Sequence, residues 1–144
     1  MSGAPFLLAA ETLADLGSDQ EFEHIPGKMP RAIPPLTMEF EGNYGGPVVQ
    51  AVTYFGILPH VAQVWRDNGI TGFTTAPMVC RPSPEALVDK PGFEPPKYDQ
   101  LILTKDETCD IYKDPHDNVI RLTERAKVLL EQFDMGWCAI LPAQ

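Results

Sequence analysis

The chain contains one clear two-residue alternation of apolar and polar side chains and two stretches with helical spacing. In the segment LTMEFEG, apolar Leu36, Met38 and Phe40 alternate with polar side chains, and a glycine-rich stretch follows. This pattern predicts a half-buried strand that ends in a turn. VVQAVTYF, at residues 48–55, predicts a second strand. We expect these two strands to pair as a hairpin across GNYGGP.

A helix is predicted directly after the second strand. Pro59 suits the first turn of a helix, where the donor that proline lacks is not needed. Gly69 predicts the end of this helix together with Asn68, because glycine readily adopts the left-handed backbone that ends many helices. ITGFTTAPMV is rich in β-branched residues and predicts a strand after the helix. One face of the helix is apolar and carries Leu58, Val61, Val64 and Trp65.

The C-terminal part of the chain repeats this order of elements more weakly. Thr123 is a favourable N-cap, and Glu124 places a negative charge beside the positive end of a helix. WCAIL then predicts a closing strand. The sequence therefore predicts two similar strand-helix-strand units. The apolar stripe of the second helix consists of Leu122, Ala126, Leu129, Leu130 and Phe133.

The remaining segments connect these units. AETLADLGS predicts a short helix over residues 9–16, and residues 101–103 and 109–112 predict short strands. The 15 prolines crowd the first third and the middle, where they predict loops. We expect a single α+β domain, with a mixed or antiparallel sheet packed against two helices. Its predicted parts are an N-terminal segment with a hairpin strand (1–47), the first unit (48–80), a proline-rich connection (81–97) and the second unit (98–144).

Length and charge restrict the classes of function. The 144 residues suffice for one domain with its own core. A formal charge of -9 argues against a protein that neutralises nucleic-acid phosphates or binds an anionic membrane. No apolar run approaches the roughly 20 residues of a membrane span. The acidic balance favours encounter with a basic partner.

The cysteines and histidines predict neither a metal site nor a redox site. Cys80, Cys109 and Cys138 are odd in number and widely spaced, so no complete disulfide framework or CxxC pair is possible. Reduced thiols and the lack of a basic segment before the first apolar residues lead us to expect a cytoplasmic protein. The three histidines stand alone, so we expect no metal and no cofactor.

Known catalytic motifs are missing from the sequence. It has no GxSxG, and EGNYGGP lacks the lysine and following helix of a phosphate-binding loop. Glu39 and Glu41 share one face of a predicted strand, where a carboxylate pair is more often a solvated surface than an acid-base site. The acidic segment around KDPHDN does not follow the register of a calcium loop. We therefore do not expect an enzyme, although an unrecognised catalytic site stays an alternative.

Two segments of the chain resemble a known family: GITGFTTAPMV, which follows the first predicted helix, and LTERAKVLLEQFDMGWCAILPA, which contains the second. They are similar to the serine-rich helix start, leucine stripe and GLTGFEF-P pattern of bacterial immunity proteins from polymorphic toxin systems, including the double-CXXCG group. The resemblance covers residues 48–80 and 98–144. The paired CXXCG motifs are missing, so the metal site of that group is not carried over. Leu58 stands where the pattern has serine, and only Thr123 matches it.

The resemblance implies a cytoplasmic protein that binds and neutralises a cognate toxin. Carboxylates would then steer a basic toxin surface, and aromatic side chains in loops would anchor it. Of the aromatic residues, Tyr44 and Tyr98 are expected to be exposed. A small structural or adaptor protein of a phage or secretion assembly is the alternative. The predicted partner-binding residues are Asp106, Glu107, Asp110, Asp114, Asp117, Tyr44 and Tyr98.

Overall fold

The computed structural model describes residues 4–143. Within this range the chain has three short helices and thirteen short strands, so the fold is mixed α+β and consists mostly of strands. The helices span Pro59–Asp67 (α1), Pro84–Asp89 (α2) and Glu124–Leu130 (α3). The strands span Phe6–Ala9 (β1), Ala14–Leu16 (β2), Phe22–Glu23 (β3), Arg31–Ala32 (β4), Leu36–Phe40 (β5), Val48–Ala51 (β6), Tyr54–Ile57 (β7), Phe73–Ala76 (β8), Met78–Pro82 (β9), Asp99–Leu103 (β10), Ile111–Lys113 (β11), Ile120–Leu122 (β12) and Ala139–Pro142 (β13).

In the described residues the strands form four small sheets. The first sheet has the order β11-β12-β1-β13, the second has the order β6-β7-β10-β8, and both are antiparallel. The third sheet, β2-β5-β9, contains the parallel pair β5 and β9, and β3 pairs with β4 in a two-stranded arm. A bridge between Glu11 and Val49 joins the chain just after β1 to β6. The first and second sheets therefore meet beside Glu11.

The main core lies where α1 and α3 pack together against the first two sheets. Trp65 of α1 has no exposed surface, and its Nε1 donates a hydrogen bond to the carbonyl oxygen of Ala126 in α3 at 3.2 Å. Leu8 and Ile120 of the first sheet and Phe55 of the second are buried in the same cluster. Burying each such side chain contributes about 1.5–3 kcal/mol, so this contact is a main source of stability. A smaller cluster contains Leu36, Met38, Phe40, Met78 and Tyr98.

The helices of both predicted strand-helix-strand units are present. α1 begins at Pro59, and Gly69 follows its end with a φ of 69°, in the left-handed region. α3 begins after Thr123, whose side chain caps the helix as predicted. The coarse α+β prediction is confirmed. The packing of one sheet against two helices is not confirmed, because the described residues form four sheets and include a third helix, α2.

The predicted pairing of the strands in the N-terminal half is wrong. VVQAVTYF forms two strands, because the chain turns at Val52 and Thr53 and β6 pairs with β7. The hairpin across GNYGGP does not form, since β5 pairs with β2 and β9 instead. A turn of two residues lets β6 and β7 satisfy each other's backbone groups, which leaves the glycine-rich stretch for other contacts.

The predicted helix over residues 9–16 is also wrong. Glu11 lies between β1 and β2, its backbone N–H donates to the Val48 carbonyl at 3.1 Å, and its carbonyl accepts from Gln50 N–H at 2.8 Å. Pairing with β6 thus uses the backbone groups that a helix would need, and this tertiary contact overrides a weak helix propensity. The division of the chain at residues 47, 80 and 97 stays a prediction. None of the helices between residues 4 and 143 has the length and apolar character of a membrane-crossing segment.

Candidate protein-binding site

Two aromatic side chains that are far apart in the sequence stack on each other at the surface. The rings of Tyr44 and Trp137 are nearly parallel, with 6° between their planes and 3.9 Å between their centroids. Tyr44 is 50% exposed and Trp137 is 62% exposed. Tyr and Trp are enriched among the residues that dominate protein interfaces, so an exposed stack of both is a candidate contact surface. We define Tyr44 and Trp137 as the aromatic pair.

The aromatic pair lies on two loops that are shaped by local hydrogen bonds. Tyr44 lies between β5 and β6, and Trp137 lies between α3 and β13. Asn43 Oδ1 accepts a hydrogen bond from the N–H of Gly45 at 2.7 Å, and Asp134 Oδ1 accepts one from the N–H of Gly136 at 2.9 Å. Asn and Asp favour turns through this kind of bond to their own backbone. Each ring is therefore placed by a tight turn.

The carboxylate of Glu11 connects the two loops. Glu11 is 1% exposed. Its Oε1 accepts a hydrogen bond from the N–H of Tyr44 at 2.7 Å, and its Oε2 accepts from Trp137 N–H at 3.3 Å. Oε2 also accepts from Gly46 N–H at 3.2 Å. One buried carboxylate thus binds the backbone of both members of the aromatic pair, and no ion pair of the described residues includes it.

The two loops touch backbone to backbone, and glycine is required at the contact. A Cβ on Gly46 would lie 2.7 Å from Glu11 Oε2 and 2.8 Å from Cys138 Sγ. At Gly136, where φ is 54°, a Cβ would lie 2.5 Å from Gly46 N and 2.6 Å from the carbonyl oxygen of Tyr44. These distances are too short for any real Cβ, so both glycines permit the close approach of the loops. The aromatic pair is consequently held in place before any partner binds.

Tyr98 supports the Tyr44 loop from inside the protein. It has no exposed surface, and its hydroxyl donates to the carbonyl oxygen of Gly46 at 2.8 Å. The hydroxyl oxygen of Tyr98 also accepts a hydrogen bond from Asn43 Nδ2 at 2.8 Å. Burial raises the pKa of Tyr98 to about 12, so the hydroxyl keeps its proton at neutral pH. The prediction that Tyr98 is exposed is wrong, because its ring packs on Phe40 in the smaller core cluster.

The ionisable groups under the aromatic pair are shielded from water. Cys138 is 8% exposed, and its Sγ donates to the carbonyl oxygen of Val48 at 3.1 Å. Burial raises the pKa of the Cys138 thiol, which disfavours the nucleophilic thiolate. Residues 4–143 contain no group of three or more side chains that could hold a metal ion. The arrangement can present the two rings to a partner, whereas the buried Glu11 and Cys138 cannot reach a substrate.

Asp110, one of the predicted partner-binding residues, joins parts of the protein internally. Asp110 is 9% exposed, and its carboxylate accepts hydrogen bonds from Arg125 Nε at 2.9 Å and Arg125 Nη2 at 2.7 Å. It also accepts from Thr71 N–H at 3.0 Å and Thr123 Oγ1 at 2.8 Å. The Arg125 guanidinium holds the pKa of Asp110 well below its usual range. Asp110 therefore links the segment after α1 to the start of α3 and does not present an open surface.

Asp114 is buried in the same way. It is 6% exposed, and its carboxylate accepts from His116 N–H at 2.8 Å and from Arg121 Nε at 2.5 Å. The hydrogen bond from the His116 backbone, together with Arg121, lowers the pKa of the Asp114 carboxyl. Two of the five predicted partner-binding carboxylates, Asp110 and Asp114, are therefore buried, and their charges are paired within the fold.

The three other predicted carboxylates are exposed but lie at opposite ends of the first sheet. Asp117 lies in the turn before β12, which begins at the end of the sheet where β13 also begins. Trp137 comes just before β13, so Asp117 and the aromatic pair share this end. Asp106 and Glu107 come before β11, at the other end of the sheet. The structure thus brings Tyr44 and Asp117 to one end, away from Asp106 and Glu107.

Sequence reasoning missed Glu11 and Trp137, which define the site. The sequence predicts a helix at Glu11 and a strand at Trp137, whereas the strand begins only at Ala139. The available signals were the glycines beside both rings, in GNYGGP and MGW, since glycine next to an exposed aromatic residue permits close loop contact. Comparison of the chain with protein-family models, curated proteins and solved structures found no significant match.

Proposed function

We propose that this protein binds and neutralises a cognate bacterial toxin through the aromatic pair, as an immunity protein of a polymorphic toxin system. The observation that carries the proposal is the exposed Tyr44–Trp137 stack, which the buried Glu11 carboxylate holds by hydrogen bonds to both residues. The resemblance of residues 48–80 and 98–144 to immunity proteins supplies the class of partner.

The geometry favours binding because the aromatic pair is ordered in advance. Loop ordering on association costs about 0.5–1.5 kcal/mol for each side chain that becomes fixed. The rings are already stacked, and the Glu11 bonds and the glycine contacts already hold their backbones. Binding then mainly desolvates the outer ring surfaces, which is favourable for large aromatic side chains.

The charge of the protein supports a basic partner. With a formal charge of -9, the chain attracts a positively charged surface at long range and so raises the association rate. Asp117 is half exposed at the same end of the first sheet as the aromatic pair. Asp106 and Glu107, at the other end, contribute only to this long-range attraction. The place of action in the proposal is the cytoplasm, where the resemblance places such proteins.

The test is co-expression of this chain with the product of the adjacent gene. We expect that product to inhibit growth by itself, and we expect the full chain to restore growth and co-purify with it. Trp137→Ala removes the exposed ring and should weaken binding by at least about 2 kcal/mol, or about thirtyfold in Kd. Phe22→Ala is the matched control, because Phe22 is an exposed aromatic residue of the two-stranded arm and should leave Kd unchanged.

Three outcomes would contradict the proposal. The first is a harmless product of the adjacent gene, and the second is a Trp137→Ala variant that binds as tightly as the unmodified chain. The third is a large homo-oligomer in size-exclusion chromatography with light scattering, which would support the structural or adaptor function instead. Urea unfolding of Trp137→Ala should show a stability change below about 1 kcal/mol, because the ring is mainly exposed.

A further inference from the structure

An open cleft lies between the first sheet and the tip of the β6-β7 hairpin. Its volume is about 410 Å³, within the range of roughly 300–1,000 Å³ that is typical of small-molecule sites. Side chains of both sheets form its walls, and most of them are apolar. The residues on which the inference depends are Leu8, Val52, Phe55, Lys113 and Ile120.

Lys113 places a positive charge in this apolar cleft without a carboxylate partner. Its Nζ lies 3.4 Å from the carbonyl oxygen of Thr53 and 5.8 Å from the centroid of the Phe55 ring. Across residues 4–143, the ion pairs of the protein do not include Lys113. Burial lowers the pKa of Lys113, because the ammonium group loses part of its hydration. An anion beside Nζ would replace that lost hydration.

The one carboxylate that lines the cleft is already engaged. Asp117 Oδ1 accepts a hydrogen bond from the N–H of Val119 at 3.0 Å, and its Oδ2 lies 3.5 Å from Arg121 Nη2. Asp117 thus pairs with Arg121, which it shares with Asp114, and not with Lys113. An incoming anion can therefore approach Lys113 without displacing an existing ion pair.

Two residues at the cleft have a backbone conformation that L-amino acids rarely adopt. Val52, at the hairpin tip, has a φ of 57°, and Asn118, on the side of the first sheet, has a φ of 60°. Asparagine tolerates this conformation, but a β-branched residue there is a real outlier. Val52 is also 64% exposed. Strained residues of this kind concentrate at binding sites, which is consistent with a role for this cleft.

We propose that the cleft binds an aliphatic chain that ends in a carboxylate, such as a medium-chain fatty acid. The carboxylate pairs with Lys113 Nζ, and the aliphatic chain lies against Leu8, Phe55 and Ile120, because Leu8 and Ile120 share the face of the first sheet that carries Lys113. The one cation of the cleft suits a charge-assisted contact with the carboxylate end of such a ligand. The apolar walls suit burial of the methylene groups at its other end. Neither Tyr44 nor Trp137 lines the cleft, so this proposal does not depend on the proposed function.

Titration of the ¹⁵N-labelled full chain with octanoate tests the proposal, with 1-octanol and acetate as comparison probes. Octanoate should give saturable shifts of the backbone amides of Val52, Lys113 and Asn118. Octanol has the same tail without the charge and should bind at least about tenfold more weakly, whereas acetate should not saturate. Lys113→Met keeps the aliphatic part of the side chain and should weaken octanoate binding by at least about tenfold. Lys97→Met, at an exposed lysine outside the cleft, should not change it.

The absence of saturable octanoate shifts at these amides, or equal binding by Lys113→Met and the unmodified chain, would overturn the proposal. Octanol binding as tight as octanoate binding would also overturn it, because the charge of Lys113 would then have no role. The octanol comparison uses the unmodified chain and so remains decisive if Lys113→Met does not fold. Trp137→Ala should bind octanoate normally, which separates a failure of this site from a failure of the proposed function.

Discussion

Replacing Glu11 by glutamine tests the central feature of the binding site. Glutamine has nearly the same shape, but it presents one oxygen and one NH₂ group where Glu11 presents two oxygens. The three backbone N–H groups around the carboxylate belong to Tyr44, Gly46 and Trp137. The amide oxygen best takes the position of Oε2, which accepts two of these bonds. The NH₂ group then faces the N–H of Tyr44, donor against donor.

The magnitude follows from these contacts. Hydrogen bonds to a charged acceptor contribute about 1.5–3 kcal/mol each, and a buried donor left without a partner costs about 1–3 kcal/mol. At 1% exposure, Glu11 leaves no room for water to replace the lost bond. We therefore expect Glu11→Gln to lower the free energy of unfolding by about 2–4 kcal/mol, a large part of the roughly 5–15 kcal/mol of a typical domain.

Urea unfolding gives the change in stability, and near-UV circular dichroism reports the stacking of the aromatic pair. Glu11→Gln should reduce the near-UV signal that Trp137→Phe identifies as belonging to the pair. Glu41→Gln is the matched control, since Glu41 is exposed on a neighbouring segment and should change stability by less than about 0.5 kcal/mol. A Glu11→Gln variant as stable as the unmodified chain, or more stable, would refute the reasoning. The desolvation of an unpaired carboxylate would then outweigh its three hydrogen bonds.

Two further predictions concern the contacts around this site and the core. Gly136→Ala should destabilise the protein by more than about 3 kcal/mol in urea unfolding, because it adds a clash with the Tyr44 loop to the backbone penalty at a φ of 54°. Gly92→Ala is the control. Its φ is 85° and no atom lies near the added Cβ, so it should show only the backbone penalty of about 1–2 kcal/mol. A similar loss in both variants would contradict the close approach of the loops. The pKa of Asp110 is lower in the folded chain than in the unfolded chain, so the unfolded chain binds more protons as the pH falls. The stabilisation that Asp110 contributes is therefore complete above about pH 5 and is lost as the pH falls toward the folded pKa. Asp110→Asn should cost about 1–3 kcal/mol at pH 7 and flatten the decline of stability between about pH 5 and pH 2, and an unchanged slope would show that other carboxylates cause it.

The local signals in the sequence predict elements whose stability is local. Pro59, Gly69 and Thr123 act within one helical turn of a helix end, so both ends of α1 and the start of α3 follow from neighbouring residues. Strand alternation likewise predicts β5, because the buried and exposed faces differ residue by residue. The partner of each strand is a different matter. Nothing local in LTMEFEG specifies pairing with β2 and β9 rather than with β6.

The candidate site could not be predicted for the same reason. It forms where three segments meet, and Glu11 and Trp137 are separated by 126 positions in the sequence. Each residue alone has an ordinary explanation: a helical glutamate, a strand tryptophan and a loop tyrosine. Tyr98 shows the reverse case, since polar flanking residues indicated exposure while the fold buries its ring and uses its hydroxyl. Only the tertiary contacts distinguish these outcomes.

Under the proposed function, the Glu11 contacts couple partner binding to the stability of the fold. Binding residues on loops are usually mobile, and ordering them on association reduces affinity. Here the backbone of Glu11 pairs with β6 while its carboxylate holds both loops, so the aromatic pair becomes ordered when the first and second sheets come together. The cost of ordering then falls on folding rather than on association. A substitution at Glu11 should therefore weaken partner binding without removing any contact with the partner. Among Glu11 variants, the loss of affinity should correlate with the disorder of the two rings rather than with the change in the charge of residue 11.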